Sequence, residues 1–118
     1  MYQNQKIGKL GEKLAAQYLE SKGYEILERN FYCRQGEIDI IAKEKTKIIF
    51  IEVKTRTSVK YGKPIEAVTK EKQRHLLKAA QYYLYKKHME NSLTRVDGVE
   101  VYIKNNKCRI NHIKQIIG

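Results

Sequence analysis

Three charged residues stand where the sequence otherwise spells two apolar strands: Asp39 in "GEIDIIA", and Glu52 and Lys54 in "IIFIEVKTR". Two carboxylates can hold a divalent cation, and an ammonium group beside them can offset charge developing on a phosphate, so these residue types could build a phosphodiester-cleaving site. Side chains alternate along a strand, which puts Glu37, Asp39 and Ile41 on one face and Ile38, Ile40 and Ala42 on the other. In the next strand Ile48, Phe50, Glu52 and Lys54 share a face. A hairpin symmetric about the Lys45–Thr46 bond sets Asp39 opposite Glu52 and Glu37 opposite Lys54. Opposed side chains have Cβ atoms about 4.5–5.5 Å apart, and like charges there are destabilising unless a cation lies between them. Mg²⁺ suits such a pair, because it takes one or two protein carboxylates and keeps its other positions for water and phosphate oxygens; Mn²⁺ would substitute. The bland alternative is a Glu37–Lys54 ion pair on a solvated face that also carries Asp39 and Glu52. On spacing alone the two readings stand level, although Ile48 and Phe50 beside Glu52 speak for partial burial. A bulge or one-residue slip would part Asp39 from Glu52 and remove the site.

The elements that must position these residues are readable from periodicity. Ile7, Leu10, Leu14, Ala15, Tyr18 and Leu19 form one helical stripe, which Glu12 flanks, so that its carboxylate could lean over the sheet and help place a metal or its water. Gly23 suits the left-handed position after that helix, and "YEILERNF" follows as a strand. Residues 36–43 and 47–54 are the next two strands, joined tightly enough for a hairpin. "TRTSVKYGKP" reads as a basic loop, and a helix is expected from about Ile65 to Met89, with Gln73, Leu76, Leu77, Ala80 and Leu84 on its inner side. "RVDGVEVYI" and "KCRINHI" form a second hairpin about "NN". Helix, three strands, helix, two strands implies an α/β fold with a mixed central sheet of about five strands flanked by helices, the long helix being the crossover that a parallel pair requires.

A chain of 118 residues supports one domain, 1–118, and not two cores. Its 24 basic against 13 acidic residues give +11, which favours phosphate-rich partners: DNA first, with RNA left open. The phosphate contacts are expected from Arg56, Lys60 and Lys63 in the loop and Lys70, Lys72 and Arg74 at the helix start, each lost contact lowering the salt slope of duplex binding by about 0.9. The first residues lack an apolar signal core and no run is long enough to span a bilayer, so a cytoplasmic protein without membrane association is expected. Cys33 and Cys108 show no ligand spacing and read as reduced thiols.

"IDII" followed by "IEVK" resembles the PD-(D/E)XK nuclease signature, with Ile38 where that signature usually has proline. The stretches "GKLGEKLAAQYLESKGYEILERN", "GEIDIIA", "IIFIEVKTR", "YGKPIEAVTKEKQRHLLKAAQYYL" and "RVDGVEVYI" are similar to the YraN-like family, related in fold to Holliday junction resolvases. The resemblance implies a restriction-endonuclease-like core and a metal-dependent nuclease; with the basic charge, the leading reading is a Mg²⁺-dependent endonuclease acting on DNA, branched or otherwise distorted DNA included. The resemblance also implies Asp39 and Glu52 as metal ligands, Lys54 as the catalytic lysine and Glu12 as the acid on the first helix. Gln81 and Tyr85 echo a Gln-x-x-x-Tyr element of some nuclease relatives, but residues one helical turn apart are more commonly packing and surface. Asp97 in "RVDGV" is expected to be an inward structural acid held by Arg95 or a backbone amide. The competing readings are a nucleic-acid-binding protein without catalysis and a subunit of a repair or recombination assembly, with a homodimer left open.

Overall fold

The computed structural model describes residues 2–57 and 68–117. Lys60 and Lys63 lie outside the described residues. The elements are α1 (Tyr2–Ser21), β1 (Glu25–Cys33), β2 (Gly36–Glu44), β3 (Lys47–Arg56), α2 (Lys70–Lys86), β4 (Leu93–Lys104) and β5 (Lys107–Ile113). One five-stranded sheet runs in chain order, β1-β2-β3-β4-β5. β3 and β4 are parallel, with α2 as the expected crossover, and the other neighbours are antiparallel. Among the described residues no helix is long and apolar enough to cross a membrane.

A helix covers each face, so the sheet is apolar on both sides. Against α2 lie Phe31, Ile38, Ile41, Ile48, Phe50 and Val96; against α1 lie Ile40, Ala42, Ile49, Ile51, Val99 and Val101. Ile48 to Ile51 in β3 are all buried, as the middle strand of a twice-covered sheet requires, and each such side chain stabilises by roughly 1.5–3 kcal/mol.

The expected stripes are met at Ala15, Leu19, Leu76 and Ala80, but Gly11, Ala16, Ala79 and Tyr83 join them in place of Leu10 and Leu77. Gly11, Ala15, Ala16 and Leu19 of α1 are buried, while Leu10 is 44% exposed. A Cβ at Gly11 would run into the Thr55 side chain, so the absence of one sets how closely α1 approaches β3. In α2 the buried stripe is Leu76, Ala79, Ala80 and Tyr83, with Leu77 39% exposed. The α2 helix starts at Lys70 rather than near Ile65, because Thr69 in extended conformation caps it by accepting the Lys72 N–H at 3.2 Å. It ends at Lys86, short of Met89, and Gly23 takes φ 92 after α1, as expected.

An acidic cleft where β2 and β3 part

The β2–β3 register follows the symmetric turn from Glu44↔Lys47 to Ile40↔Ile51. Continued one step it sets Asp39 against Glu52, but the ladder stops there. β2 stays paired with β1 through Tyr32↔Glu37 and Cys33↔Gly36, while β3 stays paired with β4 through Lys54↔Glu100 and Arg56↔Tyr102. The strands fork, and Glu37 is not placed opposite Lys54 as expected. Parting would orphan backbone donors in the fork, and the Asp39 carboxylate takes one of them: Val53 N–H donates to its Oδ2 at 2.7 Å.

Simple alternation also fails at this point. Ile38 packs with Ile41 against α2, whereas Ile40 and Ala42 pack against α1, so Ile38 and Ile40 do not share a face. Across from this point in β1, Asn30, flanked by the pairs Arg29↔Ile40 and Phe31↔Ile38, adopts φ 54. Asparagine tolerates that left-handed conformation, and its side chain lies close enough to Glu12 to favour that carboxylate's charged form. Periodicity gave no sign of Asn30 beside Glu12 at the break in alternation. A polar Asn inside an otherwise regular strand was the available signal.

The fork opens into a cleft of about 440 Å³ lined by Glu37, Asp39 and Glu52 from the sheet and by Thr69, Glu71, Lys72, His75 and Leu76 from the start of α2. Asp39 and Glu52 are thus brought together in one cleft, which the bulge in β1 between Ile26 and Glu28 does not prevent. Lys72 Nζ stands 2.8 Å from Glu52 Oε1. Glu12 borders a neighbouring hollow of about 300 Å³ with Val53, Lys54 and Thr55, and its charge reaches Asp39. Lys54 is exposed and lies outside the acidic cleft's lining. Arg56 is turned inward, its Nε donating to Glu100 Oε2 at 3.0 Å with the side chain 9% exposed, so as placed it is not offered to a phosphate. Lys70 and Arg74 are exposed on the first turns of α2.

Among the described residues no group of three or more His, Cys, Asp or Glu is arranged to hold a metal ion, so Glu12 does not complete a three-ligand set with Asp39 and Glu52. Two carboxylates remain. That donor set fits magnesium, which retains several waters, and not structural zinc, which demands a closed set of four.

Burial, and then the charge of Glu52, push the Asp39 carboxyl up to about 7; the Val53 N–H works against the rise, and Glu12 and Glu37 add to it. Burial likewise raises Glu12. A carboxyl whose native pKa exceeds its unfolded value near 4 binds more protons when folded, so the stability it confers is present below pH 4 and is lost as pH rises through 7. In the metal-free protein Asp39→Asn, whose amide oxygen still accepts from Val53, should remove this loss. Urea unfolding at pH 5 and pH 8 should show the wild type falling relative to Asp39→Asn by up to about 3 kcal/mol. Parallel profiles would mean that the acids are not gathered as described.

"Uncharacterised protein family UPF0102" matches residues 11–101. The UPF0102 protein of Caldicellulosiruptor saccharolyticus is 51% identical over 110 residues, covering 92% of this chain and 93% of the relative. The UPF0102 protein of Syntrophus aciditrophicus is 50% identical over 114 residues, covering 97% and 90%. Among solved structures, "Crystal structure of SSO0001" is 22% identical, with a TM-score of 0.35; the match covers 94% of this chain and about half, 51%, of that one, and at that score nothing is transferred from it.

Proposed function

The chain belongs to the UPF0102 family, the YraN-like family that its motifs resemble, and from the acidic fork we propose that it is a Mg²⁺-dependent endonuclease of PD-(D/E)XK type that hydrolyses phosphodiester bonds in DNA. One observation carries the reading. In a protein of net charge +11, Glu37, Asp39 and Glu52 are collected in one cleft at the parting of two strands. A phosphate-binding surface gains nothing from acids unless they hold a cation.

Asp39 and Glu52 would hold the Mg²⁺. When bound, the ion supplies polarisation of a phosphate oxygen and a lowered pKa for a water. The chain's own groups do the rest. The Val53 N–H fixes the Asp39 carboxylate through Oδ2, leaving its other oxygen for a ligand. Lys54 follows Glu52 by two residues in β3 and is exposed, where its ammonium can face the scissile phosphate and offset charge in the transition state. Glu12, beside Asn30, borders the hollow that Lys54 also lines and can orient a water. Lys70 and Arg74, exposed at the start of α2, can carry flanking phosphates, and Lys72 can join them on leaving Glu52.

A second reading, a nucleic-acid-binding protein without catalysis, is favoured by the Lys72–Glu52 ion pair, which already gives one acid a structural partner. Titrating the wild-type chain with Mg²⁺ and Mn²⁺ on linear, nicked, flapped and four-way DNA, and on matched RNA, separates the two. Metal-dependent scission is the expected result. No cutting on any substrate, together with no calorimetric metal binding, would remove the nuclease assignment.

A further inference from the structure

The sheet face that carries Glu52 continues past α2 onto the β4–β5 hairpin. Two contacts fix which side chains share it: Arg56 and Asn111 both reach Glu100, from β3 and β5. Alternation from those points puts Tyr102 and Lys104 of β4 and Lys107 and Arg109 of β5 on the same face. The register aligns Arg56, Tyr102 and Arg109 in one row across three strands, with Lys104 paired to Lys107 beyond it.

This hairpin is built for anions. The Arg109 guanidinium lies 4.6 Å from the centroid of the Tyr102 ring, a cation–π contact that holds a flexible group in place and leaves its N–H edge to the solvent. Arg109, Lys104 and Lys107 are exposed, and with Tyr102 they line a hollow of about 560 Å³. From residue 101 to 117 the sequence has no Asp or Glu, and the nearest acid, Glu100, is occupied by Arg56 and Asn111. The positive charge of the hairpin therefore has no acid of its own to neutralise it.

We infer that the β4–β5 hairpin is a second phosphate-docking surface, on which Lys104, Lys107 and Arg109 hold the backbone of the duplex that enters the acidic cleft. The inference rests on the nucleic-acid part of the reading above. It favours phosphate over base contact, since Arg109 already covers the Tyr102 ring. Four residues along β3 and two strand spacings across separate Glu52 from Arg109 by about 16 Å, or about five nucleotides of duplex rise. The α2 cations, Lys70 and Arg74, belong to the helix that roofs β2, away from β5, so the two basic groups would grip the nucleic acid on either side of the fork.

The test is metal-free binding of the full chain to a labelled 30-base-pair duplex in EDTA, titrated with salt. Arg109→Ala should lower the slope of log affinity against log salt by about 0.9, and Lys104→Ala/Lys107→Ala by about 1.8. Tyr102→Leu, which keeps all charges but frees the guanidinium, should weaken binding several-fold at fixed salt. Lys78→Ala/Lys86→Ala, on the exposed side of α2, removes as much charge and should change the slope by less than half as much. Hairpin variants that match the wild type, or lose no more than the α2 control, would overturn the inference while leaving the nuclease reading in place. Hairpin-dependent binding by a wild type that neither cuts DNA nor binds metal in the Mg²⁺ and Mn²⁺ titration would support it and sink the nuclease reading. A wild type that binds no duplex, or whose hairpin variants lose only affinity for anionic phosphatidylglycerol vesicles, would overturn it in favour of no nucleic-acid role or a membrane role. Circular dichroism of each variant should superimpose on the wild type, since only exposed or half-buried side chains are changed.

Discussion

Asp39→Asn and Glu52→Gln are each expected to reduce Mg²⁺-dependent cleavage to background, while metal-free DNA binding stays the same or tightens. Binding and cutting come apart because each substitution removes a ligand and also a negative charge that faces phosphate. Asparagine at 39 keeps the acceptor for Val53 N–H, so the fork itself should survive. Lys54→Ala should stop cleavage for a different reason. Calorimetric metal affinity should persist, and the rate should fall by about 10²–10³, the effect of deleting one preorganised electrostatic contact. Glu52→Gln has a further consequence: Lys72 loses its anionic partner at 2.8 Å and becomes available to phosphate, so this variant should bind DNA more tightly than Asp39→Asn does. Cleavage that survives in Asp39→Asn, or metal affinity that is equal in Asp39→Asn and wild type, would show that the acids are not ligands.

The fold was largely legible because its signals are local. A short turn specified the β2–β3 register, and a helix long enough for a crossover specified the parallel β3–β4 pair. The fork was not legible, because it arises from competition: β1 keeps β2 at Glu37 and β4 keeps β3 at Lys54, and neither pairing is visible from the hairpin alone. Alternation predicted one face for Ile38 and Ile40, and β2 departs from it opposite Asn30 of the neighbouring strand, whose φ is 54. The helix stripes misled in part, for a steric reason. Large residues such as Leu10 and Leu77 attract notice, but close contact with the sheet went also to Gly11, Ala16 and Ala79, beside Ala15, Leu19, Leu76 and Ala80 of the expected stripes. The charged residues split in the same way. Their positions along the strands were readable, whereas the partners that hold Arg56 and Lys72, Glu100 and Glu52, come from three-dimensional neighbours.

Arg95→Ala is expected to destabilise the protein by about 3–5 kcal/mol without changing its nucleic-acid affinity per folded molecule. Asp97 is fully buried, as an inward structural acid, and Arg95 grips both of its oxygens at 2.7 Å. His112 Nε2 lies 2.8 Å from Oδ2, the Gln115 N–H donates to Oδ1 at 3.0 Å, and Arg95 also donates to the Tyr24 hydroxyl. Burial alone would raise the Asp97 pKa, but His112, Arg95 and the Gln115 amide together hold it down at about 2. Stability from this group is therefore present above pH 4 and is lost as pH falls toward 2, the reverse of Asp39. Removing Arg95 leaves a buried carboxylate without its main counter-charge, which is why the effect exceeds that of a surface pair. The network lies on the α1 face, beside Val99, and Asp97 pairs with Ile51, one residue before Glu52. It ties β4 to β5 through His112, to the C-terminal segment through Gln115 and to Tyr24 after α1, at the level where β2 departs from β3. Urea unfolding at pH 7 should show a lower midpoint with an unchanged slope, and the acid-induced loss of stability between pH 5 and pH 2 should shrink, since Asp97 would then titrate nearer its unfolded value. A drop below 1 kcal/mol would mean that His112 and the Gln115 amide suffice, and that the guanidinium adds nothing to holding β4 in place beside the cleft.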